Sequence, residues 1–320
     1  MSPWRPSASR EALVHRAALL ARTRAFFAAR GVLEVETPIL SSAGVTDPQI
    51  ESLTTRVAGA PETWYLSTSP EYAMKRLLAS GSGDIFQICK AFRDAERGRW
   101  HNPEFTLLEW YRLGFDDRAL MAEVDELVRD LLLPRRRLAP SEHLPYAAAL
   151  EQHAGVDAHR ASDAELAAAA AAHGVHCEAS LDRDARLDLL MGLVVGPKLG
   201  RDRPTFLCDY PASQAALARL KPGSPAVAAR FELYVDGLEL ANGFHELASE
   251  SEQRRRFEAD LATRRARGQA QSRLDEHLLE ALAAGLPDCA GVALGFDRLT
   301  AVALGVTGLG DVIAFPFDRA

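Results

Sequence analysis

Two runs of alternating apolar residues, 86–93 and 105–113, bracket a loop dense in charge, and no other stretch limits so narrowly what the chain can become. Side chains along a strand alternate between faces. Phe86, Ile88 and Phe92 therefore point one way, and Gln87, Cys89, Ala91 and Arg93 the other. In the second run Phe105, Leu107, Glu109, Tyr111 and Leu113 share a face, which sets a carboxylate beside a phenol. The pattern predicts strand, long loop, strand, with Arg93 closing the first strand and facing what the loop encloses. The loop carries Arg93, Asp94, Glu96, Arg97, Arg99, His101, Asn102 and Glu104, a set that suits an anionic, polyfunctional ligand. A solvated hairpin loop would also be polar.

Before this stretch, 9–30 reads as an amphipathic helix with Leu13, Leu20 and Phe27 at heptad spacing and Gly31 just past its end. The alternation over 32–40 predicts a strand ended near Pro38, at a sheet edge or subunit boundary. Residues 64–66 predict a short strand. Ser69-Pro70-Glu71 then opens a helix to about Ala79, with Ser69 as N-cap and Pro70 at the first position. Glu71 in that first turn is either a complement to the helix dipole or a ligand group. Asp116 or Asp117 caps a further helix to about Leu133, and Pro134 with Arg135, Arg136 and Arg137 marks a boundary. That arginine triplet reads as a solvated turn rather than a nucleic-acid site. Residues 141–200 predict helices and read, from about 134 to 200, as an insertion in one large domain spanning 1–320. The histidines of this segment, His143, His153, His159, His173 and His176, form no pair with metal-ligand context.

Strands resume at 205–210, and 230–244 contains Asp236-Gly237 between alternating runs, a two-residue hairpin signal. That turn pairs Glu232 with Ala241 and Tyr234 with Glu239, and sets both carboxylates on one face as diagonal neighbours. Two like charges with no local base repel unless a cation lies between them, and oxygen ligands suit Mg²⁺. A hydrated hairpin face would carry them equally well. Asn242, Phe244 and Glu246 fall on the opposite parity unless a bulge turns them. Residues 249–268 and 275–284 read as helices. A buried strand, 291–295, leads into Asp297 and Arg298 at the start of a last helix, where free N–H groups already favour an anion.

The net charge of −7, from 37 basic and 44 acidic residues spread along the chain, announces no basic tail or stripe for nucleic acid. Cys89, Cys177, Cys208 and Cys289 are far apart and suggest neither a zinc cluster nor a disulfide framework. With no signal-peptide core and no run of membrane-spanning length, the expectation is a soluble, cytoplasmic protein.

Five segments in order carry a resemblance. GVLEVETPIL, AFRDAERGRWHNPEFTLLEWY and GVALGFDRL resemble the three signature motifs of class II aminoacyl-tRNA synthetases, and TSPEYAMKRLL and LELANGFHEL match further lysyl-type signatures. The implied fold is α+β, a mostly antiparallel sheet flanked by helices. Only about 30 residues precede the first motif, so the anticodon-binding barrel of the lysyl synthetases is not expected. YPASQAALA, NGFHEL and the C-terminal VIAFPFDRA place the chain nearer the stand-alone paralogues, the elongation factor P (R)-β-lysine ligases.

That resemblance implies an enzyme that activates (R)-β-lysine or lysine with ATP and joins it to a lysine of translation elongation factor P. It assigns Arg93 to the α-phosphate and Arg298 to the γ-phosphate, with Asp94, Ala95 and Asn102 near ATP. Glu239, Leu240 and Gly295 would contact the nucleotide, and Glu232 with Glu239 would hold Mg²⁺. Ser69, Pro70, Glu71, Tyr111 and Glu246 would line the amino-acid site. A homodimer is implied by the first motif around Pro38, and tRNA binding is not expected. Two positions depart. Ala95 stands where the second motif usually has Glu, with Glu96 one residue on, and Ala293 stands where the lysyl synthetases commonly have Gly. The rivals are a truncated lysyl-tRNA synthetase and a non-catalytic paralogue.

Overall fold

The computed structural model describes residues 4–133 and 135–320. The boundary read at Pro134 lies outside the described residues, as do the first three residues of the N-terminal stretch. In chain order the elements are α1 (Arg10–Ala28), β1 (Leu33–Glu34), β2 (Leu40–Ser41), β3 (Thr54–Arg56), β4 (Thr63–Leu66), α2 (Glu71–Ala79), β5 (Ile85–Phe92) and β6 (Glu104–Leu113). Next come α3 (Asp117–Leu132), β7 (Glu142–Pro145), α4 (Tyr146–Ala154), α5 (Asp163–Ala172), α6 (Arg183–Leu190), β8 (Thr205–Pro211), β9 (Leu220–Lys221), β10 (Val227–Val235) and β11 (Leu238–His245). The chain closes with α7 (Glu250–Ala266), α8 (Glu276–Gly285), β12 (Cys289–Gly295) and α9 (Phe296–Leu304). Two compact units result, Met1–Phe115 with Leu247–Ala320, and Asp116–Glu246.

In the first unit β5 and β6 pair antiparallel, with Gln87 opposite Glu109 and Phe86 opposite Trp110. β12 pairs antiparallel with β6, and β1 runs parallel to β5. One face is apolar: Phe27 of α1 stacks on Phe86 at 4.5 Å between ring centroids and meets Trp110 edge-on at 5.3 Å. The alternation thus places Phe86 and Trp110 against helix and leaves Gln87, Glu109 and Tyr111 on the opposite face.

The buried stripe of α1 is Ala12, Leu19, Thr23, Phe26 and Phe27 rather than Leu13 and Leu20, which are half-buried. Both members of the Phe26-Phe27 pair are buried, so a heptad ending on either is self-consistent, and the stripe follows Phe26. The strand expected over 32–40 is two short strands in different sheets: β1 lies on β5, while β2 joins β4 and β3 in a small antiparallel sheet. Pro38 lacks an N–H for a ladder and restricts Thr37 before it, which accounts for the break.

In the second unit Asp116 caps α3, accepting from the Ala119 N–H at 2.8 Å. β8 pairs antiparallel with β10, β10 with β11, and β7 runs parallel to β8. Helices α4, α5 and α6 share an apolar core with this sheet, built on Leu150, Leu166, Leu187, Leu190, Val195 and Leu207.

The hairpin turn is where the sequence puts it, with Asp236 at φ 57° and Gly237 at φ 77°, the conformation its tight turn requires. Its register differs from the expected one. Tyr234 does pair with Glu239, but Glu232 pairs with Asn242, because the ladder shifts between Leu233 and Tyr234 and Leu240 is the extra residue. A bulge moves every later side chain to the other face. Asn242 is therefore turned onto the face of Glu232 and Glu239, by a bulge earlier than the Asn242-Gly243 step. The tip of the hairpin is gripped as well: the Asp236 N–H donates to the Gly200 carbonyl at 2.8 Å, and the Gly237 N–H to the Leu199 carbonyl at 2.8 Å. Arg136, the middle of the arginine triplet, forks onto both carboxylate oxygens of Asp236. That residue is a brace for the turn.

Candidate active site

In the first unit the sheet face opposite α1 gathers an acidic pocket. Ser69, just before α2, donates from Oγ to Glu109 Oε2 at 2.8 Å and accepts the Glu71 N–H at 3.1 Å. Helix α2 starts at Glu71, with Pro70 in the N-cap position and Ser69 one residue earlier than a cap. Tyr111 donates its phenol proton to Glu109 Oε1 at 2.8 Å. Glu71 pairs with Lys75 one turn on, Nζ to Oε1 at 2.7 Å, and Lys75 is only 1% exposed. So Ser69, Pro70, Glu71 and Tyr111 do come together, and they do so around Glu109.

Glu109 is buried, and its pKa is pushed up to about 8, first by burial and then by the neighbouring Glu71 carboxylate, against the two hydroxyl bonds. Such a carboxyl holds its proton into the neutral range and becomes a receptor for positive charge when one arrives. Ala293 of β12 and Gln87 of β5 flank Glu109 directly in the ladders, so the Ala293 methyl stands beside this pocket. Burial and Glu109 also push the Cys89 thiol up to about 12, which keeps it protonated.

The charged loop follows β5. The Arg93 N–H donates to the Pro103 carbonyl at 3.0 Å, and its guanidinium lies 5.1 Å from the Phe105 ring centroid. Glu96 approaches Arg93 Nη1 at 3.4 Å, while Arg93 Nε is buried with no partner among the described residues. A buried guanidinium N–H aimed at nothing carries a cost that an incoming anion removes. Ala95 adopts φ 60°, and the Asp94 N–H donates to the Glu51 carbonyl at 2.8 Å, which fixes the turn after Arg93. Glu96 is thus turned towards Arg93.

Asn102 is buried and braces the loop, donating to the Glu104 carbonyl at 2.5 Å and accepting the Phe317 N–H at 2.9 Å. Gly295 precedes α9, and Arg298 stands in its first turn. Arg298 donates from Nε to the Trp100 carbonyl at 3.2 Å, and its Nη2 lies 2.9 Å from His101 Nε2. A guanidinium has no acceptor, so Nε2 accepts. Burial, and next the Arg298 charge, lower the His101 pKa, which keeps that ring neutral near pH 7. Arg298 and Arg93 both bear on His101, which brings the two guanidinium groups to the same loop within this unit.

The second unit holds the carboxylates of the hairpin. Glu232 accepts from Arg230 Nη2 on Oε1 at 2.6 Å and from the Tyr234 hydroxyl on Oε2 at 2.8 Å. Arg230 is the local base that the sequence pattern concealed, because it lies two residues before Glu232 on the same face. Glu239 shares this face through its pairing with Tyr234, and Leu240 is buried at the bulge. Hard oxygen donors on two carboxylates fit Mg²⁺, which takes few protein ligands and keeps the rest for water and phosphate. Glu246 lies beyond β11, buried, its backbone bridged to Ala218 and its carbonyl accepting from Arg219 Nε at 3.1 Å.

Glu109, Lys75, Arg230 and His101 are the members that motif reading leaves out. Alternation flags Glu109 beside Tyr111, and i to i+4 spacing flags Lys75 with Glu71. No pattern marks His101 as the acceptor for Arg298, since nearly 200 residues separate them.

No helix among the described residues is long and apolar enough to cross a membrane. Over 323 aligned residues the chain is 50% identical to the elongation factor P (R)-β-lysine ligase of Salmonella dublin, covering 99% of this chain and 98% of that one. The ligases of the same name from Salmonella heidelberg and Salmonella choleraesuis match to the same extent. The family model for class II tRNA synthetases (D, K and N) matches residues 2–319. With the antiparallel ladders, the carboxylates around Glu109 and the two arginines near His101 already in place, that match over nearly every residue is decisive: the chain belongs to the class II tRNA synthetase family (D, K and N).

Proposed function

We propose that this chain is an ATP-dependent, AMP-forming ligase that activates (R)-β-lysine and transfers it to a lysine side chain of elongation factor P. The observation that carries this reading is 50% identity over 98% of the length of relatives bearing that name.

In the first step a carboxylate oxygen of the amino acid attacks the α-phosphorus of ATP and pyrophosphate leaves, giving an acyl-adenylate. The carboxylate is ionised near pH 7, so no general base is needed. Arg93 takes charge on the α-phosphate and Arg298 on the γ-phosphate, with Asp94, Ala95, Asn102 and Gly295 shaping the nucleotide's surroundings. Preorganised donors of this kind act by position and electrostatics. Glu232 and Glu239 would hold Mg²⁺, which neutralises phosphate charge when bound, and Glu239 with Leu240 would contact the nucleotide. Ser69, Pro70, Glu71, Tyr111 and Glu246 take the amino acid, and the acidic groups receive its two ammonium groups. In the second step the ε-amine of the acceptor lysine attacks the activated carbonyl, AMP leaves and the amine loses a proton.

Exchange of labelled pyrophosphate into ATP tests the first step: it is expected to depend on (R)-β-lysine, with α-lysine a poorer substrate. No exchange with either amino acid would refute the enzyme reading. A homodimer in the cytoplasm completes the proposal. The exposed apolar side chains of Leu33, Ile39 and Leu40 along the first motif support it. Light scattering at micromolar concentration should return twice the chain mass, and a monomer would count against it.

A further inference from the structure

Arg230 makes three directed hydrogen bonds in the second unit, and each reaches a different element. Nη2 donates to Glu232 Oε1 at 2.6 Å, Nη1 to the Gln214 carbonyl at 2.9 Å, and Nε to Asn242 Oδ1 at 3.2 Å. The flat guanidinium also lies over the Tyr210 ring, 4.2 Å from its centroid. Tyr210 and Gln214 both belong to the YPASQAALA segment, which the proposed chemistry leaves without a task.

The surrounding backbone is shaped to deliver these contacts. The ladder between β8 and β10 is irregular between Ala228 and Phe231, next to Asp209, which holds φ 56°. Lys221 secures Asp209 at 2.8 Å and Asp117 at 2.6 Å. That irregularity presents Tyr210 to Arg230. The bulge at Leu240 turns Asn242 onto the same face. Gln214 is tied in turn to α6, its Nε2 donating to Asp188 Oδ1 at 2.8 Å. Two departures from regular strand geometry thus converge on one guanidinium, and the Tyr234 hydroxyl takes the second oxygen of Glu232.

We propose that Arg230 is a positioning residue that holds the Glu232 carboxylate, beside Glu239, in the single orientation a nucleotide-bound divalent cation requires. The inference rests on the reading of Glu232 and Glu239 as the cation's ligands. A carboxylate with both oxygens hydrogen-bonded cannot rotate freely, yet each oxygen keeps a lone pair for coordination. A flexible carboxylate would have to be ordered at every binding event, which weakens affinity. The guanidinium also offsets the repulsion between the two carboxylates before a cation arrives.

The test compares wild type with R230Q, R230K, Y234F and N242A. The readouts are Mg²⁺ half-saturation in ATP–pyrophosphate exchange and direct Mn²⁺ binding by electron paramagnetic resonance at fixed ATP. R230Q is expected to raise the half-saturating Mg²⁺ by at least about 10-fold and to weaken Mn²⁺ binding in parallel, with the amino-acid KM changed less than about 2-fold. R230K keeps the charge without the fork and should recover only part of the loss. Y234F, which removes one bond to Glu232 and no charge, should shift the metal dependence in the same direction, and so should N242A. If R230Q does not fold, Y234F and N242A decide. Folded variants with wild-type metal dependence and Mn²⁺ binding would overturn the proposal. A wild type with no divalent-dependent exchange would instead overturn the ligand reading beneath it.

Discussion

Arg93→Ala is expected to lower ATP–pyrophosphate exchange by at least about 10²-fold, in the range set by removal of one preorganised donor to a developing charge. Arg93 directly follows β5, its backbone N–H bonded to the Pro103 carbonyl and its guanidinium set against the face of Phe105. Its Nε is buried without a partner among the described residues. Those contacts fix where the positive charge sits before a phosphate arrives, so little reorganisation accompanies the reaction. Arg93→Lys should restore little, because an ammonium on a flexible stem does not reproduce the planar fork. The half-buried guanidinium contributes little to the core, so thermal unfolding of the variant should stay within a few degrees of wild type. Single-turnover adenylate formation at the wild-type rate in R93A would show that the loop has another task.

The second large effect concerns Glu109 and pH. Its pKa in the folded protein is raised to about 8, by burial first and the Glu71 carboxylate second. The unfolded chain releases that proton in the ordinary carboxylate range, about 4.3. Between those values the folded state binds more protons than the unfolded state, so stability falls as pH rises. The contribution is fully present below about 4.3 and is lost as pH climbs through about 8, a change on the order of a few kcal/mol. Glu109→Gln has no proton to lose and should flatten this part of the stability curve; the slope is the readout. The same linkage predicts that binding of the diammonium substrate below pH 8 releases a proton from Glu109. Calorimetry in two buffers of different ionisation enthalpy would detect it. An unchanged slope in E109Q, with no buffer dependence of binding heat, would contradict the account of this pocket.

The strand pair 86–113 was legible because its period-two pattern is clean and the two faces differ in chemistry: phenylalanine and tryptophan on one, Gln87, Glu109 and Tyr111 on the other. The hairpin turn was legible for a local reason too, since Asp-Gly is one of the few pairs that accept two positive φ values. Its register was not. A single extra residue at Leu240 reverses the parity of Asn242 and Phe244, and nothing in LELANGF marks which residue is extra. The helix stripe failed by one residue, Leu19 for Leu20, because both phenylalanines at its end are buried. In the candidate site, positions within motifs could be assigned by resemblance. Partners distant in sequence could not: Arg298 with His101, Arg136 with Asp236 and Arg230 with the Gln214 carbonyl arise only when the chain is folded. Arg230 was missed for a further reason, since a base two residues from an acid looks like an ordinary polar edge until the strand shows them on one face.

Incubation of the protein with ATP, Mg²⁺, (R)-β-lysine and purified elongation factor P, followed by intact-mass measurement of the acceptor, tests the central claim most directly. The account predicts that elongation factor P gains one β-lysyl group on a lysine side chain, that AMP and pyrophosphate form in step with it, and that lysine-specific tRNA in a parallel reaction gains nothing. An unmodified elongation factor P together with aminoacylated tRNA would contradict it.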